Sequence, residues 1–559
     1  MTTGDQAGAQ QPGFDDKGWQ NVTLPNAFNE TQAFARDIKA LSTGIIWYRK
    51  HITLPADATR GRAFLEFEGV RQAAEIWVNG RSVALSEHGV MAFGADITAA
   101  LKPGDNVIAV RVDNDWKYKE RATGSGFQWN NDNFNVNYGG ITKNVRLHLT
   151  GQVYQTLPLY STLGSTGQYI WADGFDIAGR RANIHAESQV RNDSAAARAL
   201  SLRVEVRDPA GRRIARFDSA ATSIAPGQTA TLAAAAPVAD LHYWSWGYGY
   251  LYTVTTSLMD KDKVIDSVDT KTGFRQTRFG DGKVDLNGRT IMVHGYAQRT
   301  SNEWPAVGTS IPPWISDFSN ALMVESGGNL VRWMHVTPSK QDIESADRVG
   351  LMQAMPAGDA ESDVTGRRWD QRKEVMRDAI IYNRNNPSIL FYESGNENIS
   401  EAHMAEMKAI RDLYDPHGGR AIGSREMLDS KVAEYGGEMM YINKSARHPM
   451  WSMEYSRDEA ARAYQDNFTP PFHKDAPAYN RNQDSHAIED VKRWNDYYVM
   501  RPGTGTRVSS GGVNIIWSDS NTHYRGDNNY RRSGEVDAVR IPKQGFFAHQ
   551  VMWNDWVDS

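Results

Sequence analysis

Cysteine is missing from all 559 residues. Disulfide staples, thiolate nucleophiles and cysteine-bound metals are therefore excluded. No strand is followed by Gly-x-Gly-x-x-Gly, and no Gly-x-x-x-x-Gly-Lys-Ser/Thr loop occurs, so neither a dinucleotide nor a P-loop nucleotide site has support. No stretch approaches the roughly 20 apolar residues that span a bilayer. The start, MTTGDQAGAQQ, has neither a basic opening nor an apolar run and is not a signal peptide. Without cysteine the compartment stays open; a periplasmic or extracellular location, with a leader already removed, is preferred to the cytoplasm. A large charge surplus is also missing. The formal net charge of −5 gives no reason to expect nucleic acid or a membrane surface as a partner.

What is present is ordinary globular material, 40% hydrophobic and 23% charged, with length for several domains. Seventeen Trp and 23 Tyr are a heavy aromatic load; most belong in cores, and flat rings also stack on sugars. The first 150 or so residues read as β structure. AFLEFEGV, AEIWVNGRSVAL and NVIAVRVDN alternate apolar and polar residues, and Asn79-Gly80 marks a hairpin. A second β region follows: RALSLRVEVRDPAGRRI and LYTVTTSLMDKDKVI each read as strand, turn, strand, which fits a small Ig-like sandwich. After one more hairpin, KVDLNGRTIMVHG, helices and strands alternate over nearly 290 residues. SKQDIESADRVG reads as a capped helix ended by Gly350, and DQRKEVMRDAIIYNRNN as a helix halted before Pro387. That alternation predicts a parallel α/β domain of (β/α)8 size.

Two segments carry chemistry. ILFYESGNENIS runs as an apolar strand from Ile389 to Tyr392 and delivers Asn396 and Glu397 where the chain leaves the sheet. HPMWSMEYSRD does the same with Glu454, followed by Tyr455. In an α/β barrel such positions face the active site. A lone strand-end Glu equally suits a helix cap or an arginine pair. Two of them match glycosidic bond cleavage, where one carboxyl protonates the leaving oxygen and the other attacks or stabilises the anomeric centre. Environment must separate their pKa values.

These segments resemble the family 2 glycoside hydrolases, the group of β-galactosidases and β-glucuronidases, over nearly the whole chain. GFDDKGWQNVTLP, WYRKHITLP and EFEGVRQAAEIWVNG are similar to the family's N-terminal sugar-binding-type jelly roll. TGFRQTRFGDGKVDLNGRTIMVHG resembles its passage from Ig-like domain to barrel, and NLVRWMHVTPSKQDIESADRVGL its N-x-VR-x-SH-x-P strand and following helix. NRNNPSILFYESGNE and HPMWSMEY resemble the segments ending in its acid/base and its nucleophile. The resemblance implies three domains: a jelly-roll sandwich at 1–152, an Ig-like β-sandwich at 153–272 and a catalytic (β/α)8 TIM barrel at 273–559. It implies retaining hydrolysis without a cofactor, with Glu454 as nucleophile, Glu397 as general acid/base and Asn396 on the sugar's 2-hydroxyl.

The sequence also departs from the family. Where β-galactosidases have Asn-Arg-His-Glu, this chain reads YAQRTSNEW, which puts Gln298 and Arg299 beside the substrate. Met355-Pro356 stands where a metal-holding acid is expected, and Asp359 and Glu361 read as solvated loop residues, so no metal is assigned. His335 matches the family's substrate-side histidine, Arg332 is expected to position carboxylates, and Tyr455 is placed with the substrate. Trp517, ending VNIIW, resembles the aromatic platform beneath the sugar. Where β-glucuronidases read the sugar carboxylate, this chain has Arg531, Arg532 and Ser533 before Gly534; an arginine pair can bind a carboxylate bidentately, and a solvated basic loop explains the same letters. The first jelly-roll strand reads as incomplete and the longest members' C-terminal β domains as lacking, which leaves edges a second copy can cover. The expectation is an exo-acting β-galactosidase-like enzyme on terminal sugars of oligo- or polysaccharides. The alternatives are a β-glucuronidase or galacturonidase and, from another class, a non-catalytic carbohydrate-binding protein.

Overall fold

The computed structural model describes residues 1–89, 91–127, 136–299, 302–358, 362–439, 444–455, 487–488, 491–492, 506–521, 531 and 533–556. Arg532, Asp359 and Glu361 lie outside the described residues.

The alternating segments at the start form two antiparallel sheets. One runs in the order Thr2–Thr3, Ile45–Leu54, Gly104–Asp113, Ala73–Val78, Arg81–Ser86; the other runs Val145–Thr150, Arg62–Phe67, Phe93–Asp96. Ile46, Ile76 and Val110 of the first share a core with Leu65, Phe67 and Phe93 of the second. Asn79-Gly80 makes the hairpin between Ala73–Val78 and Arg81–Ser86, with φ of +52° and +82°. A two-residue turn that matches strand twist needs positive φ at both positions.

A second pair of sheets follows. Arg181–Asn192 pairs with Val153–Gln155, Gln168–Asp176 and Thr229–Val238; Arg198–Arg207 pairs with Arg213–Asp218, Thr222–Ile224 and Tyr252–Asp260, which continues into Lys263–Thr272. Along Arg198–Arg207 every second side chain is buried, so Leu200, Leu202, Val204 and Val206 enter a core with Ile184, Val190 and Leu258. The low-complexity TATLAAAAPV forms a strand because its small residues still bury Leu232 and Ala234 on one face.

The rest of the chain is built on one parallel sheet. Its strands are β1 (Val293–Arg299), β2 (Leu330–Met334), β3 (Met352–Pro356), β4 (Ile389–Glu393), β5 (Ala421–Gly423), β6 (Ser452–Tyr455) and β7 (Gly511–Ile515), in the order β5-β4-β3-β2-β1-β7-β6. Residues between the two edge strands link them: Gly423 bridges Tyr435 and Gly436 bridges Met450, both in the parallel sense. Helices α1 (Pro313–Glu325), α2 (Lys340–Val349), α3 (Arg367–Asn383) and α4 (Glu401–Tyr414) separate the first five strands, and α5 (Gln544–Trp556) follows β7. The punctuation read from sequence operates here. Ser339 caps α2 by accepting the Asp342 N–H, and Gly350 ends it at φ +76°. Every residue of β2, β3 and β4 is buried, which is why these strands read as apolar runs.

The N-terminal sandwich touches this region through buried polar contacts. The Tyr138 hydroxyl donates to Glu303 Oε2 (3.1 Å), the Asn521 N–H donates to Glu303 Oε1 (2.7 Å), and Lys143 Nζ reaches the Thr309 carbonyl (2.7 Å). Burial pushes the Glu303 carboxyl up to about 7 against those hydrogen bonds.

Candidate active site

One arginine of β2 organises the carboxylates of β4 and β6. Arg332, central in β2 and fully buried, uses its guanidinium as a fork. Nε and Nη2 donate to Glu393 Oε2 and Oε1 (2.8 and 2.7 Å), Nη1 donates to Glu454 Oε1 (2.7 Å), and Nη2 also reaches Asn396 Oδ1 (2.9 Å). Planarity makes this possible: only a guanidinium can serve two carboxylates and an amide from fixed positions. Glu393 is fully buried and Glu454 nearly so, so the charges they carry depend on that fork.

Glu454 is held ionised. Burial alone would raise its pKa, but the positive charges of Arg332, then Arg425 and Arg299, outweigh it and keep the carboxyl far below the usual range. His335 Nε2 stands 3.8 Å from Glu454 Oε1. Burial, then Arg332 and Arg299, holds that imidazole well below its ordinary pKa, so it faces Glu454 as a neutral ring. Glu397 sits in a different setting: its side chain is 31% exposed, beyond the end of β4. Two carboxyl groups, one buried and charged and one half-open, are the asymmetry that separates a nucleophile from a proton donor.

Arg425 joins the two. It follows β5, and its side chain is 6% exposed. Nη2 contacts Glu397 Oε1, and Nη1 lies 3.7 Å from Glu454 Oε1. Two hydrogen bonds fix the loops in register: the Ser394 N–H donates to the Gly423 carbonyl (2.9 Å) and the Ser424 hydroxyl to the Gly395 carbonyl (2.6 Å). The backbone beside both groups is left-handed. Asn398 follows Glu397 at φ +53°, and Glu426 and Met427 follow Arg425 at +74° and +59°. Asn tolerates that region, whereas Glu and Met are held there at a cost of order 1–3 kcal/mol each, and such positions cluster at functional sites.

Residues 7–151 match the sugar binding domain of glycosyl hydrolases family 2, and residues 174–275 match a further glycosyl hydrolases family 2 model. A β-glucuronidase of Formosa agariphila is 32% identical over 98% of this chain and 57% of its own length. A solved structure of a β-glucuronidase from glycoside hydrolase family 2 superposes with a TM-score of 0.88 at 31% identity, covering 99% of this chain and 59% of that one. The chain belongs to glycoside hydrolase family 2. A second relative, the β-galactosidase BoGH2A of Bacteroides ovatus, is 27% identical over 70% of this chain and 45% of its own length. The chain thus spans about half the length of these curated family 2 relatives.

Of the residues expected at a family 2 site, the structure gathers Arg332, His335, Asn396, Glu397 and Glu454. Gln298, the residue before the last of β1, is fully buried, donating to Ser518 Oγ (2.7 Å) and accepting the Arg299 N–H (3.2 Å). Two expectations are corrected. Tyr455 faces away from Glu454, because successive strand residues point to opposite faces; its hydroxyl meets His549 Nε2 of α5 (2.7 Å). Trp517 is no platform: its indole is fully buried with Tyr296, Phe546 and Met552, and its N–H donates to Ser319 of α1 (3.0 Å). Arg531 is buried, its Nε donating to Ser533 Oγ (2.5 Å), its backbone paired with Ser520. Met355, where the family's acid was expected, packs into the apolar layer with Ile343, Val375 and Ile380. Sequence reading missed Glu393 and Arg425. Glu393 had a signal, a carboxylate closing an apolar strand; Arg425 follows a strand of three residues that no pattern marks.

Proposed function

We propose that this chain is the sugar-cleaving part of an exo-acting retaining β-glycosidase whose sugar is a uronic acid, in the manner of a β-glucuronidase. The observation that carries the chemistry is the arrangement of Arg332, Arg425, Glu454 and Glu397. The 32% identical β-glucuronidase, aligned over 98% of this chain, favours a uronide over the galactoside suggested by the more distant BoGH2A. On this reading the parallel sheet, closed through residues 435–439, is the (β/α)8 barrel of 273–559, and the two sandwiches are the jelly-roll (1–152) and Ig-like (153–272) domains.

In the first step an oxygen of ionised Glu454 attacks the anomeric carbon as the bond to the leaving oxygen breaks, and protonated Glu397 gives that oxygen its proton. In the second, Glu397, now a carboxylate, takes a proton from water; the hydroxide oxygen bonds the anomeric carbon and releases Glu454. Asn396, oriented by Arg332, presents its amide to the 2-hydroxyl, and neutral His335 donates or accepts beside Glu454 without competing for its charge. No metal enters this proposal.

The test is hydrolysis of matched aryl β-glycosides (glucuronide, galacturonide, galactoside, glucoside, mannoside) and an α-arabinoside, with the first product's anomer read by NMR. Cleavage of the glucuronide with retention, abolished by Glu454→Gln, supports the proposal. Preference for galactoside moves the sugar to the BoGH2A reading. No cleavage of any glycoside, or activity that survives Glu454→Gln, refutes it in favour of a carbohydrate-binding role.

A further inference from the structure

A general acid must carry its proton when substrate binds, yet the structure sets a guanidinium against Glu397. A cation in contact with a carboxylate stabilises the charged form and opposes that protonation. The partner is not a loose surface arginine. Arg425 is buried, its loop is tied to the Glu397 loop by the Ser394–Gly423 and Ser424–Gly395 hydrogen bonds, and two non-glycine residues in left-handed conformation follow it. Among the described residues, the ion pairs around it are these. Arg425 faces Glu397 and, at 3.7 Å, Glu454; Glu454 in turn has Arg332 at 2.7 Å and His335 at 3.8 Å, and Arg332 is shared with Glu393. Glu454 already has the stronger cation in Arg332, so Glu397 is the partner that Arg425 can give up.

We propose that Arg425 is a specificity-determining residue that exchanges Glu397 for the carboxylate of the substrate's uronic acid, an inference that rests on the glycosidase reading above. The exchange is charge for charge. The sugar carboxylate takes the guanidinium, Glu397 takes one proton from solvent, and that proton then goes to the leaving oxygen. A neutral sugar has no carboxylate to offer and leaves Arg425 on Glu397, so the same contact that opposes protonation of the acid selects for an anionic substrate. The fork suits this task, since a guanidinium binds a carboxylate through two parallel N–H donors.

The experiment compares pH profiles on an aryl β-glucuronide and the matched β-glucoside. The basic limb of kcat/KM reports Glu397 in the free enzyme, and that of kcat reports it in the complex. For wild type, the glucuronide is expected to show its kcat limb about one pH unit above its kcat/KM limb, with the two limbs coinciding for the glucoside. Arg425→Gln should raise the kcat/KM limb on both sugars and lower glucuronide kcat/KM by about 100-fold, with a much smaller loss on the glucoside. Arg425→Lys, which keeps the charge without the fork, should return the limb and recover only part of the glucuronide rate. Equal losses on both sugars with unmoved limbs would show that Arg425 only supports the loops, and overturn the inference while the glycosidase reading stands. A wild type that cleaves the galactoside but no uronide does the same. A wild type that cleaves no glycoside removes the underlying reading and the inference together.

Discussion

Replacing Arg332 by Met tests the site's electrostatics most severely. The substitution keeps the side chain's apolar bulk and removes its charge, leaving Glu393 and Glu454 buried without the fork that serves both. Breaking a buried pair by removing one partner costs about 3–5 kcal/mol. For a domain of this size 1 kcal/mol moves Tm by about 2–4 °C, so the transition should fall by roughly 10 °C at pH 7. The pH dependence carries the sharper test. In wild type the Glu454 pKa is depressed, so its contribution to stability is present above the unfolded value near 4.5 and lost only at much lower pH. Without Arg332 only Arg425 and Arg299 are left to oppose burial, so the folded pKa of Glu454 moves up, and the penalty is full at high pH and fades as pH falls through the raised value. The gap in Tm between wild type and variant should therefore shrink from pH 7.5 to pH 5. Calorimetry or tryptophan fluorescence across that range measures it. A gap of only a degree or two at pH 7, or one that does not narrow toward pH 5, would refute the reasoning.

Glu397→Gln should slow release of poor leaving groups by about 10²–10⁴ and activated aryl groups far less, because only the former need a proton in the first step; equal losses across a leaving-group series would argue against it as the acid. His335 should show no protonation between pH 5 and 8 in imidazole ¹⁵N NMR, since burial and the neighbouring guanidiniums hold its pKa well below the ordinary value. A titration midpoint near 6.5 would contradict that. Trp517→Phe should lower stability by about 1–3 kcal/mol, and Tm with it, through the lost Ser319 hydrogen bond and core volume, and leave KM unchanged. A rise in KM at constant Tm would restore it as a sugar platform.

The sequence carried the fold wherever one face of an element is buried. Arg198–Arg207 buries alternate residues, so its letters spell a strand, and Asn79-Gly80 spells its turn. The parallel strands are buried on both faces and keep only an apolar run, which pointed to Glu454 and to Glu397 just beyond its strand, while Glu393, which closes that strand, was passed over. Orientation was harder. Tyr455 was assigned to substrate by proximity to Glu454, although the two-residue period of a strand sends the next side chain outward. Trp517 looked like a platform because aromatic letters do not say which face they take. Arg425 had no signal: its strand, Ala421–Gly423, is too short to show a period, and its relation to Glu397 exists only once β4 and β5 lie side by side.

Tyr138 and Glu303 bear on how this architecture can be rearranged in evolution. A carboxyl poised near neutrality lies under the loop after β1, and one of its donors comes from another module of the chain. Exchanging the N-terminal sandwich for one without a tyrosine at that point would strip a hydrogen bond from a buried acid whose pKa burial has already raised. The penalty would fall four residues from Arg299, whose charge acts on Glu454. Sandwich and sheet are therefore expected to be inherited as a pair, and a recombined chain would need compensating changes at Glu303 before its new sandwich was tolerated.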